Sequence, residues 1–315
     1  VLRLLVSRLL AAIPLMFFVA TLVFFLAQLN PVDPAATILG EDASLESIAE
    51  KRAELGIDRP LLVQYGDWIA SAATGDLGTN WFNGEEVTTE LLGRLPVTLS
   101  MVFGALLVSV TLGSVLGVFA ALRAGRVADR VITLFSSLGL AVPNFWIGLI
   151  LAYFLGVRLG WLPAIWPILR PDTPLEWLEA LILPCIALGV SASAAIARQA
   201  RSSMIGVLQK DYVRTALAKG LPVRRVVSRH AIRNAAIPVV TLAGFQTSAL
   251  IGGSIFVEFV FNVPGLGKYG VDGILRGNLP AVLAFVLVTA AVVVVVNIIL
   301  DLSYAWLNPK VRVSA

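Results

Sequence analysis

Six apolar runs divide the chain, at about 9–29, 96–122, 131–157, 178–197, 236–257 and 280–300. Each approaches or exceeds the roughly 20 residues that an α-helix needs to cross a hydrocarbon core. None carries Asp, Glu, Lys or Arg in its interior, and one such charge at mid-bilayer costs about 2.5–3.5 kcal/mol on the mildest scale. The pattern predicts an all-α, polytopic membrane protein with six transmembrane helices. The longest polar stretch, 30–95, has helical periodicity of its own. Ser44 or Asp42 can cap a short amphipathic helix bearing Leu45, Ile48, Ala49 and Leu55 and closed by Gly56. Asp58-Arg59-Pro60 opens a second with Leu61, Tyr65, Trp68 and Ile69, and Gly75-Asp76-Leu77-Gly78 makes a turn. A small helical cap is therefore expected, not a linker.

Within the apolar runs, Pro143-Asn144 interrupts the third and Pro184 enters the fourth, each readable as a pathway mark or a packing kink. Gly113-x-x-x-Gly117 permits close helix approach. Trp161, Pro163, Trp166 and Pro167 make 158–177 an interfacial hairpin.

Hydrophobic residues make up 58% of the 315 and charged residues 14%, against about a quarter charged in soluble domains. The charges that remain are sorted. The N-terminus (Arg3, Arg8), the 123–130 loop, the 198–234 segment and the tail (Lys310, Arg312) hold 16 of the 24 basic residues and 3 of the 20 acids. The opposite side holds the other 8 and 17, with 12 acids in 30–95. By the positive-inside rule both termini are cytoplasmic and 30–95 is extracytoplasmic. This sorting also directs the net charge of +4 to the membrane surface, with no nucleic-acid partner. The first run exceeds a signal-peptide core, so it reads as an uncleaved span. The expected divisions are 1–29, 30–95, 96–305 with a cytoplasmic loop at 202–235 between the fourth and fifth helices, and a cytoplasmic tail at 306–315.

Candidate chemistry is sparse. Cys185 is the single cysteine and His230 the single histidine, which excludes a disulfide framework and a multi-histidine metal site. Gly265-Leu266-Gly267-Lys268-Tyr269-Gly270 fits G-x-G-x-x-G but lacks a βαβ context, and reads as a turn returning the chain to the membrane. No G-x-x-x-x-G-K-[ST] motif occurs, so nucleotide phosphates have no P-loop here. No ionisable relay lies within a run, as a proton-driven carrier would need. Energy for uphill transport must arrive from elsewhere, although sodium coupling through backbone carbonyls stays open.

The densest signal is 198–234, which carries nine of the Lys and Arg residues against the one acid Asp211. Leu208, Tyr212, Thr215 and Lys219 follow helical spacing, Gly220 supplies a positive-φ stop and Pro222 starts the next helix. A second helix over 223–234 carries the stripe Arg224, Arg225, Arg229 and Arg233, and Pro238 leads into the fifth span. A soluble partner's groove and anionic lipid are equally good recipients of such an element. His230 reads as a packing or partner-contact residue.

Arg214-Thr215-Ala216-x-Ala218-Lys219-Gly220-Leu221, followed by Arg229-His230-Ala231-x-Arg233-Asn234-Ala235-x-Ile237-Pro238, resembles the coupling-loop signature of binding-protein-dependent ABC importer permeases. The dipeptide, oligopeptide and nickel branch is the most similar. Gly75-Asp76-Leu77-Gly78-Thr79, Arg94-Leu95-Pro96-x-Thr98-Leu99 and Pro264-Gly265-Leu266-Gly267 extend the resemblance over nearly the whole chain. Arg214-Thr215-Ala216 stands where Glu-Ala-Ala is usual in importers generally. The resemblance implies an inner-membrane permease, itself no enzyme, working with a second homologous permease, two cytosolic ATPase subunits or domains that bind ATP and Mg, and an extracytoplasmic solute-binding protein. It implies that Asp211, Tyr212, Arg214, Thr215, Ala216, Ala218, Lys219, Gly220 and Leu221 form the ATPase-coupling element. Di- or oligopeptides are the implied cargo, with nickel chelates or glutathione as alternatives. A sodium-coupled carrier and a non-transporting membrane anchor are the competing readings of another class.

Overall fold

A computed structural model describes residues 2–40, 42–167 and 173–307, with side chains from 6 to 302 within those ranges. Residues 308–315 of the expected 306–315 tail and the middle of the 158–177 hairpin lie outside the described residues. The described chain is helical, with one isolated bridge between Thr79 and Glu86. In order the helices are α1 (Leu2–Ala27), α2 (Pro34–Leu39), α3 (Leu45–Leu55), α4 (Leu61–Ala73) and α5 (Val87–Leu122). Then come α6 (Val127–Ala141), α7 (Asn144–Leu151, continuing as a π-helix over Ala152–Arg158), α8 (Pro174–Leu208) and α9 (Asp211–Ala218). Last are α10 (Val223–Val226), which passes through a π-helical stretch Val227–Ala231 into α11 (Ile232–Val260), then α12 (Leu266–Arg276) and α13 (Leu279–Leu307).

Among the described residues five helices are long and apolar enough to cross a membrane, and six spans result if α6 and α7 count as one. Those two are bent by 102° at Val142-Pro143, a break far sharper than a packing kink. Pro143 cannot donate to the preceding turn and biases Val142 toward extended backbone, where it lies at ψ 124. The Asn144 side chain donates to the Gly253 carbonyl at 3.2 Å, holding the second rod to α11.

Helices also run beyond the apolar runs that predict them. α11 reaches Val260 and so includes Glu258, which is fully buried. Glu258 lies one residue beyond the charge-free run at 236–257. A run judged by hydropathy stops at its first charge, whereas the backbone ladder continues through it.

The chain divides into two compact units, 1–98 with 264–315, and 99–263. In the first, α1 and α13 lie antiparallel. Arg8 Nε meets Asp301 Oδ2 at 2.8 Å at one end, and Asn30 Nδ2 donates to the Ile274 carbonyl at 2.7 Å at the other. The cap forms as its sequence predicts. The Ser44 hydroxyl accepts from the Ser47 N–H, Gly56 closes α3 at φ 69, and Asp76 Oδ1 accepts from Gly78 N–H in the turn. Phe24, 1% exposed, anchors α4 by an edge contact with Tyr65 and a stacked one with Trp68. Asp33 caps α2 and takes two bonds from Arg52, whose guanidinium holds the carboxyl below its usual value of 3.8.

G-x-G-x-x-G proves to be helical. Gly267 and Gly270 lie inside α12, and neither has a positive φ. A Cβ on Gly270 would stand 2.2 Å from the Phe285 ring of α13, so the glycine serves close packing, and the turn reading is corrected. In the second unit, α8 is the buried axis. α5 lies against it through Gly104, Gly113 and Gly117, where a Cβ would come within 2.5 Å of Cys185 Sγ, 2.7 Å of Ile196 and 2.4 Å of the Ala197 carbonyl. The predicted small-residue approach is therefore present.

Candidate functional site

The 202–235 loop is a short surface helix joined stiffly to two long ones. α8 ends at Leu208, two residues make the link, and α9 begins with Asp211, whose charge suits the positive end of the helix dipole. Thr215 Oγ1 donates to the Asp211 carbonyl at 2.9 Å. Gly220 adopts φ 81, its N–H bonds to the Leu217 carbonyl, and Leu221 N–H reaches back to Ala216. No atom lies within 4 Å of a Cβ built on Gly220, so this glycine is required by backbone conformation and not by space.

The helix is held from below. Val213 is 1% exposed, and the Asn234 side-chain amide of α11 donates to the Tyr212 hydroxyl at 3.1 Å and to the His230 carbonyl at 2.8 Å. Beneath the join, Met204, Val227, Ala231 and Ala235 pack with Ala121 in one buried cluster. What remains outward is cationic with apolar interruptions. Arg214, Lys219, Arg224, Arg225, Arg229 and Arg233 are exposed, together with Tyr212, Leu217 and Val223. Asp211, Thr215, Ala218 and Gly220 share the exposed surface, whereas Ala216 and Leu221 are half-buried.

Two expectations change. The helix expected from the spacing of Leu208, Tyr212, Thr215 and Lys219 is interrupted after Leu208, and the one expected over 223–234 does not stop before the fifth span. α10, the π-helical stretch and α11 form one rod with Pro238 inside it. In a membrane helix a proline bends the rod without ending it.

One ion pair at this end escaped the sequence reading. Arg201 of α8 forks onto Asp129 of α6, with Nη2 to Oδ2 at 2.7 Å, and the Gly125 N–H adds a bond at 2.9 Å. Asp129 is 3% exposed. The only local signal was a lone acid in a basic loop. Its partner lies 72 residues away.

The signature stretches outside the loop converge in the first unit. Thr98 Oγ1 accepts from the Leu266 N–H at 2.9 Å, Arg94 lies 4.8 Å from the Tyr269 ring centre, and Gly78 faces Pro280. Glu90 gathers the Asn80 and Asn83 amides and the Tyr269 hydroxyl at 2.7–3.0 Å. Burial, and then that bond to Glu90, push the Tyr269 hydroxyl well above its ordinary pKa. The group thus stays a neutral donor.

Residues 113–313 match the family described as binding-protein-dependent transport system inner membrane component, and residues 1–102 match its N-terminal companion. A Brucella abortus protein named as a peptide transport system permease is 38% identical over 309 residues, covering 98% of both chains. The glutathione transport system permease protein GsiC of Salmonella typhimurium is 39% identical over 306 residues, covering 97% of both. An inward-facing structure of the MetNI methionine ABC transporter matches 69% of this chain and 96% of that one with a TM-score of 0.56 at 20% identity, a likeness of fold. With family matches at both ends and relatives along nearly its full length, the chain belongs to the inner membrane components of binding-protein-dependent transport systems, as a multi-pass ABC importer permease.

Proposed function

We propose that this chain forms half of the translocation path of an ATP-driven importer for di- or oligopeptides. Its partners are a second homologous permease, two cytosolic ATPase subunits or domains carrying ATP and Mg, and an extracytoplasmic solute-binding protein. Both termini and the 202–235 loop face the cytoplasm, and 30–95 faces the opposite side. The observation that carries this reading is α9, a short exposed helix fixed to α8 at one end and through α10 to α11 at the other. Asp211, Tyr212, Arg214, Thr215, Ala216, Ala218, Lys219, Gly220 and Leu221 enter the ATPase groove. ATP-driven closure of the ATPases displaces α9, the two joined helices move with it, and the path opens outward. Hydrolysis resets it. No covalent chemistry falls to this chain.

Replacing Gly220 by Val forces a β-branched residue into positive φ and should misplace the loop. The expected result is lost co-purification of the ATPases, or loss of binding-protein-stimulated ATP hydrolysis in reconstituted complexes. Unchanged assembly together with unchanged stimulated hydrolysis overturns the coupling role. For the cargo, the Salmonella relatives favour a second reading, glutathione, which is itself a peptide. Calorimetric titration of the cognate binding protein with dipeptides, longer peptides, glutathione and nickel chelates separates these.

A further inference from the structure

The elbow between α6 and α7 leaves backbone acceptors open inside a span. Pro143 has no N–H for the Gly139 carbonyl, the Phe145 N–H goes to Asn144 Oδ1, and the Trp146 and Ile147 N–H groups go to the Pro143 carbonyl. The Ser191 hydroxyl covers Gly139 at 3.5 Å. Among the described residues no donor reaches the carbonyls of Leu140, Ala141 and Val142, and Leu140, Ala141 and Pro143 are exposed. The depth of the elbow can be read along α8, where Gly139 lies against Ala194, near the middle of that helix. α11 touches the same helix at Ala243 beside Ile196 and at Gly253 beside Leu188. Gln246 stands between those two contacts, at the level of the elbow. Its side chain is half-buried, makes no hydrogen bond among the described residues and is not shut away from the surface. The exposed stripe of α5 is built differently. Phe103, Leu107 and Val115 are apolar, and the one hydroxyl among them, Thr111, turns back onto the Leu107 carbonyl.

Irregular backbone at membrane depth is tolerated only inside protein or along a water-filled cavity, and hydrocarbon offers neither the carbonyls nor the amide a partner. We infer that the elbow and Gln246 line the translocation path and bind the main chain of the passing peptide. The open carbonyls accept from its N–H groups or its terminal ammonium. The Gln246 amide, which both donates and accepts, pairs with a peptide group of the same kind. Phe145 and Phe256 stand beside the elbow with their rings 6.2 Å apart, both exposed, and offer contact to an apolar side chain. No Asp, Glu, Lys or Arg belongs to this set, so it asks for amide groups and selects weakly among side chains. The inference rests on the peptide reading and deepens it by naming where the cargo touches the path.

The test uses the whole complex, with its second permease, ATPases and binding protein, in proteoliposomes. A charged, water-soluble methanethiosulfonate reagent present on both faces should modify Gln246→Cys and stop uptake of trialanine. It should spare Phe103→Cys on α5 and the buried native Cys185. Gln246→Leu should lower the trialanine taken up per ATP hydrolysed about five-fold, the effect of one hydrogen bond, and Gln246→Asn, which keeps an amide, should recover part of it. Damage to the α9 contact would instead reduce stimulated hydrolysis itself, so the two failures are separable. Gln246→Cys as inert as Phe103→Cys, Gln246→Cys cross-linked to the second permease and closed to the reagent, or Gln246→Leu with wild-type uptake per ATP would each overturn the inference while leaving the transport reading standing. A wild-type complex that moves no peptide would remove the peptide reading and this inference together.

Discussion

Gly270 and Gly220 show how one residue type answers two different demands. At Gly270 a methyl group would meet the Phe285 ring at 2.2 Å, whereas at Gly220 there is open space and a left-handed backbone. Gly270→Ala should therefore destabilise the unit that contains it by about 1–3 kcal/mol through overpacking, and trimming Phe285 to Leu should recover part of that loss in thermal melts of the purified protein. Gly220→Ala should leave the melt nearly unchanged, since its cost of about 1 kcal/mol falls on an exposed loop. Asp33 offers a test by pH. Its folded pKa is lowered, first by the Arg52 hydrogen bonds, so its contribution is complete above the unfolded value of 3.8 and fades as pH falls through the lower folded one. Melting of the wild type and of Asp33→Asn, followed through the cap tryptophans, should differ at pH 6 and converge toward pH 3.

Among elements, the seam between α6 and α8 turns on Asp129 and Arg201. Asp129 is buried, while the Arg201 side chain is 33% exposed and can rehydrate. Arg201→Gln strands a buried carboxylate, so it should cost more than Asp129→Asn, and the double variant should cost less than the sum. The expected coupling is about 1–3 kcal/mol, read from denaturant unfolding in micelles. This pair marks the boundary of what the sequence makes legible. The rods were readable because length and hydropathy alone demand them, and the cap because Ser44, Gly56 and Pro60 are local signals. Rod ends were not, since α5 begins at Val87 and α8 continues to Leu208 on hydrogen bonding that outlasts hydropathy. Pro143 announced a break but not its 102°, which is set by what the second rod packs against. Gly267 and Gly270 were misread because the turn propensity of glycine outweighed the three-residue spacing with which Gly267, Gly270 and Gly273 line one buried face of a helix. On the loop, Gly220 was found by conformation and Tyr212 by helical spacing and family resemblance, but the Asn234 tether joining Tyr212 to α11 was visible only in three dimensions.

At the scale of the molecule the proposed orientation has a direct test at exposed positions. Leu45 in the cap is 87% exposed and Val223 beside the loop is 62% exposed, whereas the native Cys185 is buried. An impermeant maleimide added to intact cells should label Leu45→Cys and spare Val223→Cys, with the reverse in inverted vesicles. Labelling of both from one side would remove the proposed orientation and the coupling role with it. The π-helical stretch Val227–Ala231 sets a further condition on that role. A wider turn spends one residue more than the regular ladder, so it acts as a phase offset of about 100° between the arginines upstream and the rod downstream. Deleting Ser228 would cancel that offset without removing any cation, and would swing Arg224 and Arg225 a quarter-circle or more away from the direction in which they now point.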